Sequence, residues 1–152
     1  MTRDDAETPA RLRDAASWLI GLASAHSHRL VGEAFAAVGA RGYHYRLLAA
    51  LDEYGPSSQA ALGRRTGIDR SDVVAALNEL AAGNLIDRSP DPSDRRRNII
   101  TLTPDGSRRL EELGEVVAGI QDDLLAPLTP SERDQLSALL TRIVDHHAAG
   151  RP

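Results

Sequence analysis

The chain has 152 residues, a formal net charge of −4 at pH 7 and no cysteine. This length suits one ordinary domain with a proper core, and the missing thiol excludes disulfides, thiolate catalysis, thiol-based redox sensing and cysteine-ligated zinc. No apolar run reaches the ~20 residues of a membrane span, and the N-terminus, Met1 to Asp5, is polar and acidic rather than signal-like. We therefore expect a soluble cytoplasmic protein with no membrane partner.

The charge is unevenly distributed along the chain. All 18 basic residues are arginines, and residues 64–97 hold seven of them against six acidic residues, whereas the rest of the chain holds eleven against sixteen. Because the distribution of charge matters more than its total, the negative net charge does not exclude a nucleic-acid partner. The local excess is modest, so tight non-specific DNA binding is not expected.

The first third of the chain predicts two helices. Apolar residues at alternating steps of four and three indicate a long helix over about residues 9–39. It carries more apolar surface than one small core needs, so part of it is expected to meet a partner helix. A second helix is predicted over about residues 42–54, before Gly55 and Pro56.

The pattern over residues 56–83 predicts a helix-turn-helix. Ser57 is placed to cap a short helix that ends with Arg64 and Arg65. Gly67 lies in a compact turn, and a second amphipathic helix follows over residues 70–82. A short helix, a turn with glycine and a second helix are typical of this DNA-binding motif.

A hairpin is predicted directly after the motif, which makes it a winged helix-turn-helix. Two short β-branched runs, residues 85–86 and 99–102, flank a charged stretch over residues 91–97, in which we expect a long tip. A solvated surface loop is the alternative for such a stretch taken alone. Arginines on a projecting ribbon suit the narrow, negatively charged minor groove of DNA.

Within this tip, Asp94 and Arg96 lie two residues apart. On an extended strand they point the same way, so the carboxylate can brace the guanidinium for insertion into the minor groove. Arg95 and Arg97 are expected to project to the other side, toward phosphate or water.

The C-terminal part predicts two more helices. Thr103-Pro104 has the signature of an N-cap followed by proline, and Thr129 with Glu132 has that of a capping box. The predicted fold is thus mostly α with a small β-hairpin wing, a single domain over residues 1–152. Residues 43–103 would form the DNA-binding part, and residues 9–39 and 104–148 a helical dimerisation part, because two-fold pairing is the commonest way to cover such helices.

The second motif helix presents a small, mostly neutral outward face, which can enter a major groove without desolvating unpaired charge. At 100° per residue this face comprises Ser71, Val74, Ala75 and Asn78, with Arg70 at the N-terminal tip. Asn78 could contact adenine or a phosphate, Arg70 guanine or a phosphate, and the two apolar residues a thymine methyl group. The alternative for each is a solvated helix residue.

The charged residues that flank this face have structural alternatives as well. Asp69 and Asp72 are expected to cap the second helix reciprocally. Arg64 and Arg65 could clamp phosphates, and as charges at a helix C-terminus they would also stabilise the helix dipole; the two roles are compatible.

Residues 57–71, the stretch 77–86 and the wing with its exit, residues 91–96 and 102–106, resemble the MarR-type (multiple antibiotic resistance regulator) transcription factors. The resemblance implies a homodimeric winged-helix regulator, usually a repressor, that binds a palindromic operator in double-stranded DNA. It also implies recognition helices in successive major grooves, wing arginines in the flanking minor grooves, and contacts from Ser58 and Gln59. Many members of the family release DNA when a small, often phenolic, ligand binds.

Four aromatic or histidine residues on the first two helices are candidates for the pocket of a small aromatic effector, namely Trp18, His26, His44 and Tyr45. Ordinary packing is the alternative for each of them. No metal site is expected, because His26 and His28 point in different directions on a helix.

No cofactor or enzyme is expected, because the sequence contains no phosphate-binding glycine loop, nucleophile elbow or metal-binding helix motif. The rival hypothesis is a winged-helix protein-interaction module without operator binding. Such a module should expose aromatic residues or leucines on the outward face, and this one does not.

Overall fold

The computed structural model describes residues 8–150, so the N-terminal residues Met1 to Asp5 discussed above lie outside its described part. Within that part the chain is mostly helical with a small sheet, which confirms the predicted fold class. In chain order the elements are α1 (Ala10–Arg13), α2 (Ala16–Ala37), α3 (Gly42–Tyr54), β1 (Ser57–Ser58), α4 (Gln59–Thr66), α5 (Arg70–Ala82), β2 (Ile86–Asp91), β3 (Asp94–Leu102), α6 (Pro104–Leu124) and α7 (Pro130–Ala149). Across residues 8–150, none of the helices combines the length and the apolar character that a membrane crossing needs.

The prediction of a single long helix over residues 9–39 is wrong near the start of that range. The chain leaves the helical conformation at Asp14, which ends α1, and α2 begins two residues later. Aspartate favours helix ends and turns because its side chain competes for backbone hydrogen bonds. The apolar periodicity continues across this short interruption and therefore did not reveal it.

The helix-turn-helix begins one residue later than predicted. The side chain of Ser58, not that of Ser57, caps α4 by accepting the N–H of Ala61 at 3.2 Å. Ser57 is instead buried in β1, where it pairs with Ile100 of β3. The turn between the two helices contains Gly67 with φ of 66°, a left-handed conformation that glycine adopts without steric cost.

The sheet has three antiparallel strands in the order β1-β3-β2. β1 has only two residues and was not predicted. The strands of the wing are longer than predicted and its tip is shorter, because β2 and β3 continue until only Pro92 and Ser93 remain between them. The tip is therefore a short turn and not a long loop.

The hydrophobic core lies beneath the helix-turn-helix. Its fully buried leucines come from four helices, among them Leu48 in α3, Leu62 in α4, Leu77 in α5 and Leu113 in α6. Truncation of one such leucine to alanine costs about 2–5 kcal/mol. The core therefore gives α5 and the wing a rigid platform.

The start of α6 is tied to the end of the helix-turn-helix. Thr103 caps α6 as predicted, accepting the N–H of Gly106 at 3.0 Å, and its hydroxyl donates to the carbonyl of Asn84 at 2.8 Å. Gly106 is buried against the backbone of Leu85, so that any Cβ at this position would collide with the Leu85 carbonyl oxygen. The run from Leu102 to Gly106 therefore locks β3 and α6 onto the segment between α5 and β2.

The last helix, α7, has no buried residue. The predicted capping box at its start is confirmed, since Thr129 accepts the N–H of Glu132 and the Glu132 carboxylate accepts the N–H of Thr129 at 2.8 Å. One side of the helix exposes large apolar residues, namely Leu139, Leu140, Ile143 and Val144. Within residues 8–150, the chain leaves this side uncovered.

Candidate nucleic-acid interface

Helix α5 is oriented as the 100° spacing predicts. Val73, Leu77 and Leu80 are buried in the core, whereas Arg70, Ser71, Val74, Ala75 and Asn78 are exposed. The expected reciprocal cap at its start is absent, because the side chain of Asp69 makes no cap hydrogen bond. The helix is held by its buried face, so its outward face is free to meet a large partner.

An open groove lies where α4, α5 and the wing meet, and we call it the arginine groove. It has a volume of about 670 Å³ and is lined by Ser58, Gln59, Ala60, Gly63, Arg64, Ile68, Arg70, Val73, Arg96, Arg97 and Asn98. Six of these residues were predicted as DNA contacts, while Asn98 was not. Four arginines and no acidic residue line the groove, although the whole chain is negatively charged. Its chemistry suits a polyanion.

Arg96 in the wing has the predicted contact with Asp94. Its backbone N–H and its Nε both donate to Oδ1 of Asp94 at 3.1 Å, and its side chain is 91% exposed. These hydrogen bonds from Arg96 hold the pKa of Asp94 below its usual value. The Arg96 guanidinium is exposed, and its Nε is held by the Asp94 carboxylate. It can therefore enter a narrow groove with little further loss of side-chain conformational entropy.

The three arginines of the wing lie in an irregular part of the hairpin. Asp91 is opposite Asp94 and Pro90 is opposite Asn98, so residues 95–97 have no opposite partner on β2. A bulge breaks the simple alternation of side chains along a strand. The expectation that Arg97 projects away from the carboxylates is therefore wrong.

Arg97 instead pairs with the wing carboxylates. Its Nη2 lies 3.5 Å from Oδ2 of Asp91, and its Nε lies 3.7 Å from Oδ2 of Asp94. Asp91 also accepts the backbone N–H and the hydroxyl of Ser93, which lower its pKa. These contacts stiffen the tip, while Arg95 remains exposed on the same wing.

Arg64 and Arg65, adjacent at the end of α4, differ in their surroundings. The guanidinium of Arg65 stacks over the ring of Tyr54 at 4.3 Å and donates to the hydroxyl of Ser57 at 2.9 Å. Arg64 lines the arginine groove. Arg65 thus joins α4 to the end of α3 and to β1, whereas Arg64 is directed to the concave surface.

Arg88 is a feature of the outward face that was not predicted. It lies on β2, and its Nη2 donates to Oδ1 of Asn78 on α5 at 2.8 Å. The sequence predicts a strand only at residues 85–86 on this side of the wing, so it gives no direction for the side chain of Arg88. The alternation from buried Ile86 does place Arg88 on the helix-facing side of the sheet.

The four candidate ligand residues do not form one cluster within the chain. Trp18 and His26 are exposed on α2, and Tyr45 packs against Phe35, with ring centroids 6.2 Å apart. At 1.5 Å per residue, Trp18 lies about 25 Å from Phe35 along α2. Only His44 and Tyr45 are neighbours.

His44 takes part in a polar cluster that joins α3 to α5. Its Nε2 lies 2.6 Å from the Glu79 carboxylate, and its Nδ1 accepts the N–H of Arg41 at 3.2 Å. The guanidinium of Arg41 also donates to Glu79 at 2.6 Å. The hydrogen bond with His44, followed by the charge of Arg41, lowers the pKa of Glu79. Among the described residues there is no group of three side chains suited to a metal ion.

The comparisons with known proteins agree with this geometry. A sequence profile described as the MarR family matches residues 40–97, which contain the helix-turn-helix and most of the wing. A solved Pseudomonas aeruginosa protein, described as a probable transcriptional regulator, is 32% identical, with 88% of this chain and 99% of that chain covered and a TM-score of 0.76. The chain belongs to the MarR family.

Two further relatives of this MarR-family protein have specific descriptions. The transcriptional repressor NicR of Pseudomonas putida is 35% identical over 98 residues, which cover 64% of this chain and 62% of NicR. The chain thus matches less than two thirds of that repressor. BpsR of Bordetella bronchiseptica, whose DNA binding is regulated by 6-hydroxynicotinic acid, is 27% identical, with a TM-score of 0.77 and coverage of 91% of this chain and 99% of BpsR.

Proposed function

We propose that the protein is a sequence-specific, double-stranded DNA-binding transcriptional regulator, a homodimeric repressor of a palindromic operator, and not an enzyme. The observation that carries the proposal is the arginine groove, which places the start of α5 and the exposed Arg96 of the wing on one concave, cationic surface. Membership of the MarR family supports the same function.

The outward face of α5 would enter the major groove. Ser71, Val74, Ala75 and Asn78 are short and uncharged, so they can approach base edges closely. Arg70 at the N-terminal end and Arg64 at the end of α4 line the adjoining groove, where they would hold the DNA phosphates. Phosphate contacts of this kind set the register of the helix on the duplex, and the α5 face reads sequence.

The wing would reach the minor groove beside that half-site. Arg96 is the residue we assign to insertion, because its guanidinium is exposed while Asp94 fixes its direction. Narrow, A·T-rich minor grooves have an enhanced negative potential that attracts arginine. Arg95 and Arg97 would add charge next to the backbone.

The exposed apolar surfaces favour a homodimer. Leu139, Ile143 and Val144 of α7 are 48%, 47% and 64% exposed, and Trp18 and Ile20 near the start of α2 are 40% and 44% exposed. Large apolar side chains exposed on long helices are typical of a surface that a second copy covers. The helices outside residues 43–103 would thus form the dimerisation part, and the remainder the DNA-binding part.

A small aromatic ligand would release the DNA. BpsR, similar over nearly its whole length, has its DNA binding regulated by 6-hydroxynicotinic acid. In this chain Tyr45 and His44 lie at the junction of α2, α3 and α5, and His44 bonds directly to Glu79 of α5. A ligand that displaces His44 would free one end of the connection that positions α5.

A mobility-shift assay with the DNA upstream of the protein's own gene tests the DNA-binding part of the proposal. Wild type should shift this fragment at ~50–100 mM salt and lose affinity as salt rises. Arg96→Ala should bind it more weakly, whereas Arg142→Ala on α7 serves as a control for loss of one positive charge and should bind normally. Absence of binding to any inverted repeat there contradicts a self-regulating repressor.

Sedimentation tests the homodimer separately. Ile143→Glu places a carboxylate on the apolar side of α7 and should shift the protein toward monomer. Ala138→Glu places the same group on the opposite side of that exposed helix and should leave the dimer intact. A wild-type protein that sediments as a monomer overturns this part of the proposal.

A further inference from the structure

The contact between Asn78 and Arg88 determines which hydrogen-bonding groups α5 presents. The Nη2 of Arg88 lies 2.8 Å from Oδ1 of Asn78, and both residues are exposed. Asn78 occupies the middle of the outward face, on the side that also exposes Ser71 and Ala75. Arg88 therefore brings a guanidinium from the sheet to the centre of the face proposed to meet bases.

The orientation of the Asn78 amide follows from the chemistry of its partner. A guanidinium has donors and no acceptor, so the atom that faces Arg88 is the amide oxygen. The amide nitrogen then faces away from Arg88 with two N–H donors. The N–H groups of Arg88 not used by Asn78 are donors as well.

A free asparagine pairs with adenine through both halves of its amide, the oxygen accepting from N6 and the nitrogen donating to N7. In this protein that oxygen already accepts an N–H of Arg88 and keeps only its second lone pair, next to the positively charged guanidinium. Guanine offers two acceptors in the major groove, N7 and O6, and no donor. The observed arrangement offers N–H donors from both residues to guanine. The N6 amino group of adenine would have to compete with Arg88 for the Asn78 oxygen and would meet the remaining N–H donors of Arg88.

We propose that Asn78 and Arg88 act as one donor-rich unit that selects guanine over adenine at one position of each operator half-site. The inference rests on the proposed function, in which α5 enters the major groove. Arg88 is then a specificity-determining residue, and the contact of Asn78 with adenine considered from the sequence alone is replaced by one with guanine.

Selection from a duplex DNA library with a randomised central segment tests the unit. The sequences enriched by the wild-type protein define the operator, and binding is then measured by fluorescence anisotropy on duplexes with each guanine replaced by adenine. At one position per half-site the wild type should lose roughly 5- to 150-fold in affinity. Arg88→Ala frees the amide oxygen of Asn78 and should remove this preference or reverse it toward adenine.

Two further variants test whether the preference for guanine comes from the Asn78–Arg88 pair or from positive charge alone. Asn78→Ala removes the anchor of Arg88 and should weaken the preference for guanine without creating one for adenine. Arg142→Ala removes a positive charge on α7 and should leave the selected sequence unchanged. Both Arg88 and Asn78 are exposed, and a circular dichroism spectrum equal to that of wild type shows that the variants fold.

The outcomes distinguish this inference from the proposed function. If the wild type enriches no sequence, operator binding itself is refuted, and the guanine unit with it. If a sequence is enriched but Arg88→Ala keeps the same preference at every position, only the unit is refuted. An equal loss of affinity of Arg88→Ala on all duplexes marks a phosphate contact and also overturns the unit.

Discussion

The substitution Gly106→Ala tests how the wing is attached to the rest of the molecule. A Cβ at residue 106 would collide with the carbonyl oxygen of Leu85 and lie 2.7 Å from Cδ1 of Leu102. The Leu102 methyl group can move, but the Leu85 carbonyl is backbone and accepts the N–H of Thr103 at 3.2 Å. Relief of the collision therefore requires a backbone shift that also weakens this hydrogen bond.

The expected cost follows from these contacts. Overpacking of a tight site costs about 1–3 kcal/mol, and a weakened hydrogen bond adds up to about 1 kcal/mol. The higher helix propensity of alanine returns at most about 1 kcal/mol. We expect a net loss of about 2 kcal/mol in the free energy of unfolding, which for a chain of this size lowers Tm by about 4–8 °C.

Thermal unfolding followed by circular dichroism at one fixed protein concentration measures the effect, since Tm depends on concentration in a dimer. Gly119→Ala in the same helix is the matched control, because no atom lies within 4 Å of a Cβ there. It should be neutral or stabilising by up to about 1 kcal/mol. Equal stability of the two variants would refute the close approach of α6 to Leu85.

Three further predictions concern caps, charges and the end of α4. Thr129→Ala removes the capping box of α7 and should cost about 0.5–2 kcal/mol, measured by urea unfolding. The ionised carboxylate of Glu79, whose pKa is lowered mainly by its hydrogen bond with His44, stabilises the fold above pH 4.5 and loses this contribution as the pH falls through its folded-state pKa. Glu79→Gln should therefore flatten the acid side of a plot of unfolding free energy against pH, and an unchanged plot contradicts the contact. Arg65→Ala should cost about 1–2 kcal/mol through the lost ring and hydroxyl contacts, whereas Arg64→Ala should leave Tm unchanged and weaken binding to duplex DNA.

Several features set by neighbours in sequence could be predicted, although the local cap expected at Asp69 is absent. The caps at Thr103 and Thr129, the turn at Gly67 and the outward face of α5 depend on residues within a few positions of one another, and each is present as expected. The brace of Arg96 by Asp94 is equally local and is also present.

Features set by tertiary pairing could not be predicted. Ser57 and Ser58 are both good caps, but Ser57 is buried in the sheet with its hydroxyl bonded to the Gly55 carbonyl, and Ser58 caps α4. The bulge that turns Arg97 toward Asp91 depends on where β2 pairs with β3. The contact of Arg88 with Asn78 depends on how closely the sheet approaches α5. The residues next to either position in the sequence do not reveal this distance.

Hydroxyl-radical footprinting on the enriched duplex tests the central claim most directly. Two copies of the chain should protect two half-sites whose centres lie about 34–36 Å apart, one helical turn of DNA. Minor-groove protection beside each half-site should disappear with Arg96→Ala, while protection at the centres of the half-sites remains. A single protected segment, or flanking protection unaffected by Arg96→Ala, would contradict a dimer that reads the major groove with α5 and the minor groove with its wing.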